Sequence, residues 1–185
     1  MLHYFHKRCG VSQMLNSYFL KHNLEIPNLK RAQILEKLHT LFGCVYLENN
    51  LHPCIGILPV EYCVQFKDKF TVFTRLSSFQ YIEQNSIQNF KDFVILDELN
   101  KPNNIQGFQG GYIGFIDYDY AASLQVNSKL KAQPNVFFGH YLSYIKFEQG
   151  TWNFYSTEKN GQQILDQILH LLSIQTKKSF HLTQP

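Results

Sequence analysis

An α+β fold, mainly an antiparallel β-sheet or sandwich with flanking helices, is predicted by three features of this 185-residue sequence. Runs rich in aromatic and β-branched residues suit strands, short turns join them, and the helical periodicities follow no βαβ rhythm. A composition 44% hydrophobic and 15% aromatic supplies a sizeable core, at a length that suits one domain. No internal repeat, low-complexity tract or Pro/Ser-rich linker divides residues 1 to 185, and about six strands with three or four helices are expected.

Residues 30 to 42, KRAQILEKLHTLF, place Ile34, Leu35, Leu38, Leu41 and Phe42 on one helical stripe, with Gly43 where a left-handed helix stop is needed. A short strand follows at 44 to 48, and residues 49 to 53 read as a loop. Residues 55 to 66 and 70 to 75 favour strands joined as a hairpin across Lys67 to Lys69, and Pro59 imposes a kink or an edge on the first. Residues 80 to 101 are mixed, and Ile87, Phe90, Val94 and Leu96 give an irregular amphipathic helix. Residues 135 to 148 and 151 to 156 make a second hairpin across Gln149 and Gly150. The last element is an amphipathic helix over 161 to 175. Ile164, Ile168, Leu171 and Leu172 recur there at helical spacing, and Leu165 and Leu169 widen the stripe.

The formal charge is only +3 and the lysines are scattered, so no basic stripe marks a phosphate backbone, and nucleic acid is not an expected partner. No run approaches the ~18 consecutive apolar residues of a membrane span. The cysteines, at 9, 44, 54 and 63, lack CxxC spacing, and His3, His6, Lys7 and Arg8 stand where a signal peptide would be apolar. These features point to a cytoplasmic protein with reduced thiols and no membrane partner.

The stretch GFQGGYIGFIDYDYA, from Gly107 to Ala121, reads as a strand interrupted by glycine. Alternation puts Tyr112, Gly114 and Ile116 on one face and Ile113, Phe115 and Asp117 on the other. A glycine inside a strand marks a bulge or close packing over the missing side chain, so Gly114 is expected beneath something large. Gly110 and Gly111 supply unusual dihedrals at the strand entrance. A phosphate-cradling loop would want a helix after the glycines and a Lys-Ser/Thr ending, and neither is present.

Asp117 and Asp119 share a face, as a pair of hard oxygen ligands would, but a solvated strand end explains them more simply. No HExxH or close Cys/His cluster assembles a zinc site, so no metal ligand set is expected. Cys44, Cys54 and Cys63 lie in apolar strand contexts that suit small buried hydrophobes. Glu48 and Glu61 are isolated carboxylates, and no catalytic set stands out.

The pattern G-G-x-I-G-F-x-x-Y-D, from Gly110 to Asp119, resembles the strand signature of one domain family. It is that of the N-terminal domain of component I of aminodeoxychorismate (para-aminobenzoate) synthase and of anthranilate synthase. GCVYLEN at 43 to 49, IGILPVEYCVQFKDKFTV at 55 to 72 and PNVFFGHYLSYIKFE at 134 to 148 resemble the family's order of strands. FHLTQP at 180 to 185 is similar to the segment leading into the catalytic domain.

The resemblance implies that Gly110, Gly111, Gly114, Tyr118 and Asp119 are structural residues of a scaffold that packs on a larger catalytic domain. The chorismate site, its Mg2+ carboxylates and, in the aminodeoxychorismate enzymes, a nucleophilic lysine would lie in that other domain, making this chain silent alone. A glutamine amidotransferase subunit is the implied further partner. The family also carries a tryptophan pocket, one wall of which here reads Tyr46-Leu47-Glu48-Asn49, with Asn49 in place of a serine and His52-Pro53 in place of an arginine-aromatic pair. The implied ligand residues are Leu47, Glu48 and Asn49, and the departures favour the folate-pathway enzyme over the tryptophan-regulated one. A domain of this kind would expose an apolar patch of several hundred Å2, or hide it in a dimer.

Overall fold

The computed structural model describes residues 2–5, 18–26, 29–49, 52–66, 69–94, 107–118 and 135–173. In chain order these form β1 (Leu2–Phe5), β2 (Leu20–Asn23), α1 (Arg31–Leu38), β3 (Val45–Leu47), β4 (Cys54–Gly56), β5 (Glu61–Phe66), β6 (Lys69–Arg75) and β7 (Tyr81–Ile87). A 3-10 turn at Phe90–Asp92 follows, then β8 (Gly111–Ile116), β9 (Val136–Tyr141), β10 (Ser143–Glu148), β11 (Thr151–Ser156) and α2 (Gly161–Ser173). One sheet has six strands, in the order β1-β8-β9-β5-β6-β7, and the other five, β2-β11-β10-β4-β3. Every pairing among them is antiparallel, which gives the expected α+β class.

Two segments belong to both sheets. Residues 55 to 66, expected as one strand with a kink or an edge at Pro59, belong to a segment from Cys54 that leaves the five-stranded sheet after Gly56 and enters the six-stranded sheet at Glu61. Pro59 lacks the N–H a ladder needs, and Leu58 beside it is left-handed at φ 47°, so the chain turns a corner there. Residues 135 to 148, also expected as one strand, change sheet at Leu142. Because β4 pairs with β10 and β5 with β9, the two segments form one antiparallel ribbon bent around the corner.

Arg75 and Glu158 clasp this corner. Arg75 donates to the Leu58 carbonyl oxygen and to the Glu158 carboxylate, with 3% and 6% of the two side chains exposed. The Ser143 hydroxyl donates to Glu158 at 2.6 Å and lies 2.8 Å from the Ser156 hydroxyl.

Strand alternation sorts the core into three layers. Ile34 and Leu38 of α1 and Ile164, Leu165, Ile168 and Leu172 of α2 pack on Ile55, Ile145, Trp152 and Phe154, one face of the five-stranded sheet. Each such side chain contributes about 1.5–3 kcal/mol through burial. Cys54, Tyr144 and Tyr155 from the other face meet Ile113 and Tyr141 of the six-stranded sheet. Cys63, Phe70, Val72, Tyr112, Val136 and Phe138 line the far face, under Phe93 and Val94.

Several expected elements are corrected. The first helix ends at Leu38, and residues 39 to 42 are turns, closed by Leu41 N–H to Leu38 and Cys44 N–H to Leu41. Gly43 (φ 66°) is required where the backbone meets Pro59, since a Cβ would come within 2.6 Å of the ring. The expected helix over 80 to 101 is instead β7 and the 3-10 turn as far as Val94; residues 95 to 101 lie outside the described set. The tight turn after β6, with Leu76 N–H on Gln80 and Phe79 at φ 63°, returns the chain as a hairpin strand. The strands therefore outnumber the expected six, and the described helices are two with one 3-10 turn.

Other expectations hold. β5 and β6 pair antiparallel as expected, Phe66 opposite Lys69, with residues 67 and 68 outside the described set, and α2 follows its stripe as far as Ser173. The β10–β11 hairpin turns at Gln149 (φ 51°) and Gly150 (φ 80°), the two positive values a two-residue type I′ loop demands.

Candidate functional site

Gly110 and Gly111 enter β8 at φ 88° and 123°, as the strand entrance demanded. Gly114 pairs with Phe138 of the adjacent β9, and a Cβ there would run into the Phe137 carbonyl oxygen and the Phe138 ring. Tyr118 stands 81% exposed just past the strand, and Asp119 lies outside the described residues. Asp117 donates its backbone N–H to Asn135 at 2.7 Å. In its described part the glycine motif thus serves packing in the second strand of the six-stranded sheet, between β1 and β9.

Leu47, Glu48 and Asn49 end the outermost strand of the five-stranded sheet and turn to three different neighbours. Leu47 packs inward against the cluster of Cys54, Ile113 and Tyr144. Glu48 is exposed and accepts from Arg31 of α1 at 3.0 Å. Asn49 accepts the His52 backbone N–H at 3.4 Å, closing the loop to β4.

The strand register extends Leu47 into a row that sequence reasoning missed. Leu47 pairs with Cys54, Cys54 with Lys146, and Lys146 with Asn153, all on the inner face of the sheet. Lys146 is 6% exposed, its ammonium 3.4 Å from Glu148, and Glu148 also accepts from Lys21 at 3.0 Å and from the Tyr155 hydroxyl. Burial works to raise the Glu148 carboxyl, but Lys21 and Lys146 outweigh it and hold its pKa below the ordinary 4.5. A signal was available: in SYIKFE, alternation puts Lys146 on the face of Tyr144, where a lysine must find a carboxylate.

On the opposite face of β3, an open groove of about 570 Å3 is lined by Leu35, His39, Leu41, Phe42, Cys44 and Tyr46. Its volume suits a small molecule. Burial pushes the Cys44 thiol up to about 11, so it is a neutral wall and not a nucleophile. Burial and the neighbouring Glu48 raise the Tyr46 hydroxyl, against the pull of Arg31. The groove can hold an apolar or aromatic molecule by contact.

No family model matches the chain, and no curated protein matches it.

A third feature is an aromatic row on the inward-turned face of the six-stranded sheet, beyond the part the other sheet covers. Phe115 stacks on Phe137 at 6.1 Å, Phe137 on Tyr62 at 5.6 Å, and Tyr62 on Phe73 at 4.8 Å with planes 9° apart. Tyr81 and Phe42 extend the row at 5.1 and 4.8 Å from Tyr62. Its two ends are open, Phe115 being 44% and Phe42 42% exposed. The row is an apolar strip that suits an apolar protein surface. Among the described residues no three His, Cys, Asp or Glu side chains could hold a metal ion, and no helix is long and apolar enough to cross a membrane.

Proposed function

We propose that this chain is the N-terminal scaffold domain of an aminodeoxychorismate synthase component I, seating the catalytic domain that converts chorismate and glutamine-derived ammonia to 4-amino-4-deoxychorismate. The observation that carries the reading is the aromatic row from Phe115 to Phe42, a half-exposed apolar strip fit to be covered by a second protein body. The glycine signature supports it, because Gly114 serves packing under Phe138, as a scaffold strand would. Glutamine amidotransferase would then act through the assembled enzyme, and Mg2+ would belong to the catalytic half.

The test mixes the chain with a chorismate-binding component I domain, Mg2+ and ammonium. Sedimentation should show a complex, and chorismate should be consumed faster than by the catalytic domain alone. A chain that neither sediments with that domain nor changes its rate would overturn the reading.

The groove beside Tyr46 favours a second reading, a regulatory small-ligand domain of the anthranilate synthase component I type. L-tryptophan would then raise the melting temperature, since a ligand of the folded state alone must stabilise it. An unchanged melting temperature at millimolar L-tryptophan would rule this out.

A further inference from the structure

We propose that Asn135 holds an internal water molecule at the corner where β5, β8 and β9 come together. Asn135 is wholly buried, 0% exposed, immediately before the first residue of β9. Its main chain is tied on both sides: the N–H donates to Gln65 of β5 at 3.4 Å, and the carbonyl accepts from Asp117, just past β8, at 2.7 Å. The residue therefore cannot swing out to solvent without breaking the corner.

Its side chain is a different matter. Among the described residues Oδ1 accepts no hydrogen bond and Nδ2 donates none, although both atoms are sealed from solvent. Buried amides in folded proteins are paired with protein or with ordered water, because an unmet donor or acceptor costs its full desolvation. The chemistry of the pair selects the occupant. A cation would satisfy the oxygen and repel the NH2 group; an anion would do the reverse. Water both donates to Oδ1 and accepts from Nδ2, and the conclusion is the same whichever way round the amide lies. A hard cation on Oδ1 is the competitor, so the test must separate the two.

The test joins two measurements on the full chain. In the wild-type protein, the Asn135 side-chain NH2 protons should show dipolar cross-relaxation with water, of the sign given by a residence time longer than tumbling. Asn135→Leu, which expels the water, should lower Tm by a few degrees. Either of two results would overturn the proposal: no water contact at that NH2 group, or an Asn135→Leu protein as stable as wild type or more so. A Tm that rises with added Ca2+ or Mg2+ in wild type but not in Asn135→Leu would assign the site to a cation instead. Should Asn135→Leu fail to fold, the wild-type cross-relaxation decides alone.

Discussion

Arg75 and Glu158 lie 83 residues apart in sequence and form a buried ion pair across the corner shared by the two sheets. Arg75 closes β6, and Glu158 sits in the short connection between β11 and α2. Removing either partner strands the other charge in the interior. Arg75→Met or Glu158→Gln should therefore cost about 3–5 kcal/mol in urea unfolding, and the Arg75→Met/Glu158→Leu double variant should recover much of that loss. Single losses below about 1 kcal/mol would mean the pair is hydrated after all.

Gly114 and Gly150 predict different penalties for the same change. At Gly114 an added Cβ meets the Phe137 carbonyl and the Phe138 ring, and a strand backbone cannot yield, so Gly114→Ala should cost about 3 kcal/mol or prevent folding. At Gly150 nothing lies within 4 Å, and only the φ of 80° resists, so Gly150→Ala should cost about 1 kcal/mol. Chemical denaturation of both variants checks the order.

The pH dependence of Glu148 follows from its depressed pKa. The stabilisation is fully present above the ordinary value of 4.5 and is lost as pH falls through the lower folded value. The stability gap between wild type and Glu148→Gln should be widest near neutral pH and shrink below 4.5. A gap that stays constant from neutral pH to acid would show that Lys21 and Lys146 do not hold the carboxylate.

Thiol labelling should find the strand cysteines inert. Burial raises Cys44 to about 11 and both Cys54 and Cys63 to about 12. In a Cys9→Ser background at pH 8, Cys44 should react about 100-fold more slowly than a thiol at its ordinary pKa, and Cys54 and Cys63 more slowly still. Denaturant should release all of them. Rapid native labelling would place a thiol in solvent.

Phe115→Ser tests the aromatic row. The residue is nearly half exposed, so the change should cost no more than about 1 kcal/mol of stability while weakening capture of the catalytic domain at least tenfold. Equal binding by the variant would put the docking surface elsewhere.

The fold class was legible because the strands alternate cleanly and α2 carries an unbroken stripe from Ile164 to Leu172. Turns built on residue type were legible too: Gln149-Gly150 has the chemistry its dihedrals need. The turn after β6 was not, because it places Phe79, an aromatic, in a left-handed conformation where sequence rules expect glycine or asparagine. Ile87, Phe90 and Val94 mimic a helical spacing although a strand, a 3-10 turn and its exit supply them in succession. Of the candidate residues, Leu47 lies on β3, but its row through Cys54 to Lys146 depends on pairing register, which local periodicity does not carry.

The ribbon of residues 54 to 66 and 136 to 148 leaves the sandwich without a seam. In a sandwich whose sheets touch only through side chains, one sheet can slide over the other by repacking. Here two covalent chains, hydrogen-bonded to each other, pass from one sheet into the other around the same bend. The two sheets are therefore joined by two continuous, mutually hydrogen-bonded segments as well as by side-chain packing.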